Sequence, residues 1–226
     1  LAGVRLDSGD LAYLSIEARK LLDAAGFTDT AIVASNDLDE HLIESLKAQG
    51  ASIAVWGVGT RLVTAYDQPA LGGVYKLSAL RDADGAWRPV VKLSEQSVKI
   101  NNPGVLGVRR YRSADGFVGD AIYDTTRPPA DDQPVTIVDP VDPTRRKRFK
   151  PDLRHEELLV PIFRRGERCY DPPPLADVRT RTRQQLAQLH PTVRRFTNPH
   201  HYPVGLERML YEKKTQLILE RKALNE

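Results

Sequence analysis

Two aspartates and a serine stand close together near the amino terminus, in the stretch GVRLDSGDL (3–11). Apolar and polar residues alternate through its first half as in a short β-strand, and the glycine at position 9 permits a tight turn after it. Polar side chains at a strand end contribute little to packing. Asp7 could instead accept hydrogen bonds from sugar hydroxyls or help to hold a hydrated cation. Arg5, two residues earlier on the same face, could pair with Asp7 or contact an anionic ligand.

An aspartate just before a helix also has a structural use, because its side chain can cap the free N–H groups of the first turn. Asp10 fits this role better than Asp7, since helical spacing begins at Leu11. Gly26 stands where a C-terminal cap belongs. A cap at Asp7, or a purely structural Arg5–Asp7 pair, stays open as the alternative to a chemical role. The predicted inward stripe of this helix comprises Leu11, Leu14, Ala18, Leu21, Leu22 and Ala25.

Two further polar loops also follow predicted strands. The strand AIVAS (31–35) leads into NDLDE, where Asn36 or Asp37 could cap the next helix, and SIAVW (52–56) leads into GVGT and the helical RLVTAY. Repeated β-α units imply a parallel sheet, either open or closed into a barrel. Ligands gather at the carboxyl ends of such strands. We therefore expect the loops DSGD, SND and GVGT to face one cavity.

The loop GVGT has a clear physical use as a phosphate site. Gly57 and Gly59 would let a phosphate approach the backbone, and Thr60 adds a hydroxyl. The following helix would supply a positive dipole end, and Arg61 a further charge. Glycine-rich turns after strands are common, so an ordinary turn is the alternative.

Beyond about residue 70 the pattern changes to β-hairpins. LGGVYKLSAL and WRPVVKLS flank RDADGA, while GVLGVRRYR and FVGDAIYD flank SADG. QPVTIVD, ELLVPIF and RRGERCYD add further β-structure, and a helix follows through RTRTRQQLAQL. The last predicted helix runs from about Leu206 to Ala223, with Leu210, Leu217 and Leu219 inward. The chain thus divides into an α/β part (1–70), a β-rich segment (71–170) and a C-terminal helical segment (171–226).

Composition narrows the class of protein. A hydrophobic fraction of 41% suffices for a core, no apolar run approaches the length of a membrane span, and the first residues lack the basic, apolar and cleavage regions of a signal peptide. We therefore expect a cytoplasmic protein without a membrane partner. Cys169 is the only cysteine, which excludes an internal disulfide and a cysteine-based metal cluster, and we interpret it as a strand residue. His200 and His201 lack a third ligand at suitable spacing, so no metal site is expected among these residues.

Charge is unevenly distributed along the chain. Residues 1–80 carry six Lys and Arg against ten Asp and Glu, whereas the rest carry 27 against 20. The densest basic run is RRKRFK (145–150), which could contact nucleic acid through phosphates. Only Phe149 interrupts the run and no recognition motif surrounds it, so a solvated edge or loop is favoured. We expect no nucleic-acid partner.

Six stretches together resemble the nicotinate phosphoribosyltransferases: GVRLDSGDL, ASNDLDE, VWGVGTRLVT, LGGVYKL, KLSE and LHPTVRRFTNPHHYPVGLERMLYEKKTQLI. The resemblance extends from Gly3 to about Leu219. It implies an enzyme that joins nicotinate to phosphoribosyl pyrophosphate, with ATP hydrolysis, to give nicotinate mononucleotide in NAD salvage. The implied fold is α/β: the C-terminal part of an irregular α/β barrel (type II phosphoribosyltransferase) joined to a β-rich domain with C-terminal helices, the phosphoribosyl-binding loops lying in residues 1–70.

The resemblance also implies roles for the loop residues. Asp7 would be catalytic and grip the ribose hydroxyls, while Arg5 would lie near the pyridine carboxylate or the phosphates. Mg²⁺ would be the cofactor and would bind together with the substrates phosphoribosyl pyrophosphate and ATP. The ribose and phosphate region would be lined by Ser8, Asn36 and Asp37, and the 5′-phosphate would be held by Gly57, Gly59, Thr60 and Arg61.

The chain begins at Leu1 and its sole methionine is Met209, so we expect it to be a piece of a longer protein. In the family, the phosphorylatable histidine and much of the nicotinate pocket precede GVRLDSGDL. The isolated chain is therefore expected to be inactive, with the N-terminal portion of the same enzyme as partner and a homodimer by analogy. One alternative is a nicotinamide or quinolinate phosphoribosyltransferase, against which LDSGDL and NPHHYPVGLE argue. The other is a non-catalytic phosphoribosyl-binding fragment.

Overall fold

The computed structural model describes residues 1–70, 72–96 and 99–224. Leu71, in the predicted strand LGGVYKLSAL, lies outside them. The chain splits into two compact units, Leu1–Val74 and Tyr75–Glu226. None of the described helices combines the length and apolar character that crossing a bilayer requires.

The first unit alternates strands and helices. Its three strands form a parallel sheet in the order β1-β2-β3, with Leu6 opposite Ala34 and Ala34 opposite Trp56. The predicted α/β arrangement is confirmed. β3 is shorter than the predicted strand SIAVW, because only two of its residues pair with β2. α3 is likewise shorter than the predicted helix RLVTAY and has four residues. The elements are β1 (Gly3–Leu6), α1 (Leu11–Ala24), β2 (Ala31–Ala34), α2 (Glu40–Ala48), β3 (Val55–Trp56) and α3 (Thr60–Val63).

Both ends of α1 are capped as predicted. At the start, Asp10 Oδ1 accepts a hydrogen bond from the N–H of Tyr13 at 3.0 Å. At the end, Gly26 adopts φ +83° and its N–H bonds to the carbonyl of Asp23. The N–H of the next residue reaches the carbonyl of Leu22 at 2.8 Å. These paired bonds are a Schellman motif, in which glycine avoids the steric cost of positive φ.

The core of the first unit lies between the sheet and the two longer helices. Leu21, predicted to point inward, is instead 73% exposed, and Ala25 is exposed too. A 14-residue helix is roughly 21 Å long, whereas a four-residue strand spans roughly 13 Å. The last turns of α1 therefore extend past the strands beneath them. The buried core residues are Leu11, Ala12, Ala34, Leu38 and Leu46.

The predicted cap of α2 at Asn36 or Asp37 is wrong. Asp39 caps the helix, its Oδ1 accepting from the N–H of Leu42 at 2.7 Å. Asn36 and Asp37 form a turn with φ of +90° and +44°. The turn lets Leu38 reach the core before the helix begins.

The second unit is rich in β-structure. Both predicted hairpins are confirmed, since β4 pairs with β5 and β6 pairs with β7, each antiparallel. The elements are β4 (Ala79–Arg81), β5 (Trp87–Pro89), β6 (Leu106–Ser113), β7 (Gly116–Asp124), β8 (Val135–Val138), β9 (Arg146–Phe149), β10 (Arg154–Glu157), β11 (Phe163–Arg164), β12 (Glu167–Arg168), α4 (Leu175–Ala187), α5 (Pro191–Arg194), β13 (Val204–Glu207) and α6 (Arg208–Ala223).

A mixed sheet in the order β10-β6-β7-β13-β8-β9 forms the centre of this unit. The sequence did not predict β13, which runs parallel to β7 and antiparallel to β8. Leu206, predicted to start the last helix, is a fully buried residue of β13 instead, and α6 begins at Arg208. A Cβ at Gly205 would lie 2.8 Å from the carbonyl oxygen of Val138. Glycine is therefore required where the three strands approach each other.

The basic run RRKRFK forms the outer strand β9, so the predicted solvated edge is confirmed. Phe149 turns inward and stacks on Tyr111 with ring centroids 4.1 Å apart. ELLVPIF does not form one strand: β10 ends at its first residue, Glu157, and β11 begins at its last, Phe163, and pairs with β12 in a separate two-stranded sheet. Cys169 follows β12 directly and is exposed, so its placement within a strand is wrong.

The final helix buries only part of its predicted inward face. Leu210 is buried as predicted and Leu217 is half-buried, but Leu219 is 62% exposed, so its predicted inward position is wrong. The helix α4, in turn, has no buried residue within the described part of the chain.

A buried ion pair holds the segment that leads into β13. Arg110 in β6 donates two hydrogen bonds to Asp120 in β7, at 2.9 and 2.8 Å. The hydroxyl of Tyr202 donates to the same carboxylate at 2.8 Å. Burial, with help from Asp120, raises the pKa of Tyr202 well above its usual range. The hydroxyl therefore stays protonated and remains a donor.

Candidate functional site

The three polar loops follow the carboxyl ends of the parallel strands, and backbone hydrogen bonds hold them side by side. The N–H of Ser35 donates to the carbonyl of Leu6 at 2.9 Å, and the N–H of Gly57 donates to the carbonyl of Ala34 at 2.7 Å. These bonds continue the sheet ladder beyond the last paired residues. The three loops therefore lie side by side at one edge of the sheet, and their facing one cavity stays a prediction.

Arg5, Asp7 and Ser35 form one cluster at this edge. Ser35 Oγ donates to Asp7 Oδ1 at 2.5 Å, and Arg5 Nη1 donates to Ser35 Oγ at 3.1 Å. Arg5 Nη1 also lies 3.4 Å from Asp7 Oδ1, and the two side chains are 63% and 53% exposed. The contacts found among the described residues engage only one carboxylate oxygen, so Oδ2 can accept from a ligand hydroxyl.

The sequence analysis placed Ser35 in the polar loop SND but gave it no role of its own. Its signal was its position directly after a buried strand, at the start of that loop. Here it lies between a guanidinium and a carboxylate, where it orients Asp7.

Asn36 and Asp37 are exposed beside this cluster in a left-handed turn, with φ of +90° and +44°. Asn and Asp tolerate this conformation better than other residues with a Cβ, although two in succession store some strain. Ser8 is exposed in the turn after β1, and Gly9 beside it has φ +77°. The predicted lining residues thus face solvent at the strand ends.

The two glycines of GVGT have different surroundings. A Cβ at Gly57 would come within 3.3 Å of the carbonyl oxygen of Ala34, so this glycine lets the loop pack on β2. A Cβ at Gly59 would meet no atom within 4 Å, so this position is open to a ligand. Thr60 is exposed and opens α3. That helix has a single turn, and the predicted dipole contribution is therefore small.

The Arg61 side chain packs against the ring of Tyr66. Its Cζ lies 3.7 Å from the centroid of the Tyr66 ring. It lines a groove of about 490 Å³ together with Asp39, Glu40 and Leu62, among others, and not with Asp7 or the glycines. The structure therefore does not group it with the Arg5–Asp7–Ser35 cluster.

Two places in the first unit have ligand atoms suited to a cation. Asp7 and the exposed Asp37 follow neighbouring strands, and carboxylate oxygens suit Mg²⁺, which proteins hold with one or two carboxylates plus substrate phosphates. The exposed Glu40, His41 and Asp67 place ligand atoms within 4.8 Å of one another. Exposed acidic groups of this kind are common without a bound ion.

Comparison with known proteins finds relatives that share this sequence and fold. Residues 107–214 match the family model described as the nicotinate phosphoribosyltransferase C-terminal domain. The chain is 42% identical to the nicotinate phosphoribosyltransferase of Bacillus subtilis, over 98% of this chain and 45% of that relative. The chain is similar to the C-terminal portion of the nicotinate phosphoribosyltransferases. The human nicotinate phosphoribosyltransferase is 33% identical over 92% of this chain and 39% of its own length.

The crystal structure of human nicotinic acid phosphoribosyltransferase matches the fold with a TM-score of 0.71 and 28% identity, covering 96% of this chain and 40% of that one. The resemblance to nicotinate phosphoribosyltransferases, and its restriction to their C-terminal portion, are confirmed. The chain spans less than half the length of the curated nicotinate phosphoribosyltransferases cited above.

Proposed function

We propose that the chain is part of an enzyme that forms nicotinate mononucleotide from nicotinate and phosphoribosyl pyrophosphate, with ATP hydrolysis, in NAD salvage. The observation that carries this proposal is the match to a curated nicotinate phosphoribosyltransferase along 98% of the chain. The polar edge of the parallel sheet supports it, because it offers a carboxylate, a guanidinium and an open glycine loop to one ligand.

The reaction breaks the bond from ribose C1 to pyrophosphate and forms a bond from C1 to the pyridine nitrogen. Positive charge develops on the ribose between these events, so catalysis is chiefly positioning and electrostatic stabilisation. Asp7 is proposed to accept hydrogen bonds from the ribose hydroxyls. Ser35 and Arg5 hold its carboxylate in one orientation, and Arg5 also has donors for the pyridine carboxylate or a phosphate.

The 5′-phosphate is assigned to the loop of Gly57, Gly59 and Thr60, whose backbone is open to solvent at Gly59. Arg61 joins this site only when its guanidinium leaves the ring of Tyr66. Ser8, Asn36 and Asp37 are assigned to the ribose and phosphate region.

Mg²⁺ is proposed to bind with the substrates, held by Asp7 or Asp37 and by pyrophosphate oxygens. When bound, the ion neutralises charge on the leaving pyrophosphate.

The rest of the active enzyme is proposed by analogy with the family. The first unit would complete an irregular α/β barrel of the type II phosphoribosyltransferases, together with an N-terminal portion that carries the phosphorylatable histidine. Apolar side chains such as Leu62 and Val63, 69% and 81% exposed, are available for such contacts. A homodimer in the cytoplasm is the expected assembly.

The test is an assay of the full-length protein with phosphoribosyl pyrophosphate, Mg²⁺ and ATP, offering nicotinate, nicotinamide or quinolinate in turn. Nicotinate should give its mononucleotide, at a lower rate when ATP is omitted, and the other two should give little product. The 226-residue chain alone should be inactive until the N-terminal portion is supplied. Faster turnover of nicotinamide or quinolinate would assign the protein to one of those related activities instead.

A further inference from the structure

A basic groove of about 560 Å³ lies in the second unit, on β8, β9 and the segment that enters β13. Ile137 and Lys147 face each other across the β8–β9 ladder and contribute to its lining. The complete lining is Ile137, Asp139, Thr144, Arg145, Arg146, Lys147, His200, His201, Pro203 and Val204. None of these residues has a role in the function proposed above.

The charges in this groove are not balanced. Three cationic side chains, Arg145, Arg146 and Lys147, line it against one carboxylate, Asp139. That carboxylate accepts hydrogen bonds from the backbone N–H groups of the following turn, at 2.8 and 3.2 Å. Arg145 pairs with Asp142 at 3.2 Å. The ion pairs found among the described residues include none for Arg146 or Lys147.

Lys147 shows the imbalance most clearly. It is half-buried, and this burial alone lowers the pKa of its ammonium group. A partly buried cation without a counter-charge is costly, and an anion bound in the groove would offset that cost.

We propose that this groove binds a small phosphate-bearing anion, with Lys147 and Arg146 as the principal cationic contacts. The imidazoles of His200 and His201 and the hydroxyl of Thr144 supply further hydrogen-bond donors around them. The groove is lined by no Phe, Tyr or Trp among the described residues, so the ligand is recognised through phosphate rather than by stacking on a base. The volume accommodates a pyrophosphate or a phosphorylated sugar.

The distribution of the basic run favours a small anion over nucleic acid. Arg145, Arg146 and Lys147 line this groove, whereas Arg148 and Lys150 line a separate depression with Pro134 and Pro151. The positive charges are therefore divided between two depressions and do not form the continuous track that a polynucleotide backbone needs.

The test is amine labelling of the full-length protein, measured at single lysines by mass spectrometry. Pyrophosphate should slow the labelling of Lys147 several-fold at an ionic strength matched with chloride, while Lys150 in the separate depression serves as the internal control. Inorganic phosphate and ribose 5-phosphate in parallel arms distinguish a free phosphate ligand from a phosphorylated sugar.

Two matched variants connect the protection to the groove. Arg146→Gln should raise the pyrophosphate concentration needed to protect Lys147 about tenfold, because a charge-assisted contact is lost. Arg148→Gln removes the same charge from the separate depression and should leave that concentration unchanged. Equal protection of Lys147 and Lys150, or none by any of the three anions, would overturn the proposal. Protection of both lysines by an oligouridylate, at concentrations where pyrophosphate has no effect, would assign the surface to RNA instead.

Discussion

Replacing Asp7 by asparagine in the full-length protein separates a role in ligand binding from a role in folding. The introduced amide would still offer an oxygen to Ser35, and the lost ion pair with Arg5 is exposed on both sides. Exposed pairs contribute less than about 1 kcal/mol, so the free energy of unfolding should change little. A hydrogen bond from a ribose hydroxyl to a charged acceptor contributes about 1.5–3 kcal/mol. Its loss in the transition state should lower kcat/KM roughly 10- to 150-fold.

The matched control for this change is the neighbouring Asp10, which caps α1. Asp10→Ala should lower the free energy of unfolding by about 1 kcal/mol and leave kcat/KM unchanged, whereas Asp10→Asn should preserve both. Steady-state kinetics and thermal unfolding of the three variants give the comparison. Retention of kcat/KM within twofold in Asp7→Asn would refute the ligand role, and so would a loss of activity that merely tracks a loss of stability.

Three further changes test the loop, the buried pair and the central strand. Gly59→Val should raise the KM for phosphoribosyl pyrophosphate about tenfold, because the new side chain would obstruct a phosphate. The protein should stay folded, since a Cβ at this position meets no protein atom within 4 Å. An unchanged KM in a folded variant would contradict the assignment of this loop to the 5′-phosphate. Tyr202→Phe removes a donor to Asp120 and should reduce the free energy of unfolding by about 1–3 kcal/mol in urea titrations. Folding raises the pKa of Tyr202, so its contribution to the free energy of unfolding is complete below the unfolded pKa of about 10 and declines as pH rises above that value. The wild type should therefore lose stability above about pH 10 more steeply than the variant. Parallel pH profiles of stability would show that this hydroxyl does not titrate as described. Gly205→Ala brings a methyl group to 2.8 Å from a carbonyl oxygen of β8 and should cost about 1–3 kcal/mol, and wild-type stability would mean that β13 adjusts without strain.

The sequence predicted much of the first unit because the residues that mark its helix ends also form the hydrogen bonds that cap them. Asp10 and Gly26 stand at the ends of α1, and short-range hydrogen bonds decide both positions. The signal was weaker for α2, where three residues that can cap stand within four positions. Asp39 caps the helix because Leu38, just before it, packs in the core. This packing is visible only in the tertiary structure.

Non-local pairing decided what the sequence did not predict. Leu206 has the spacing of the first apolar residue of a helix, but its neighbours are β7 and β8, which lie more than 60 residues earlier in the chain. The candidate site shows the same limit. Composition at the strand ends identified Asp7 and the glycine loop, whereas the bond between Ser35 and Asp7 depends on the register of β1 against β2.

The position of β13 has a consequence for synthesis on the ribosome. The strands β6, β7, β8 and β9 leave the ribosome early, but β7 and β8 are joined in the sheet only through β13. Until residues 204–207 have emerged, the sheet stays in two pieces whose inner edges carry free N–H and C=O groups. A chain that stops before Val204 therefore exposes two unpaired strand edges, those of β7 and β8, at the same time. The emergence of residues 204–207, rather than any earlier stage of translation, is the step that removes this aggregation hazard.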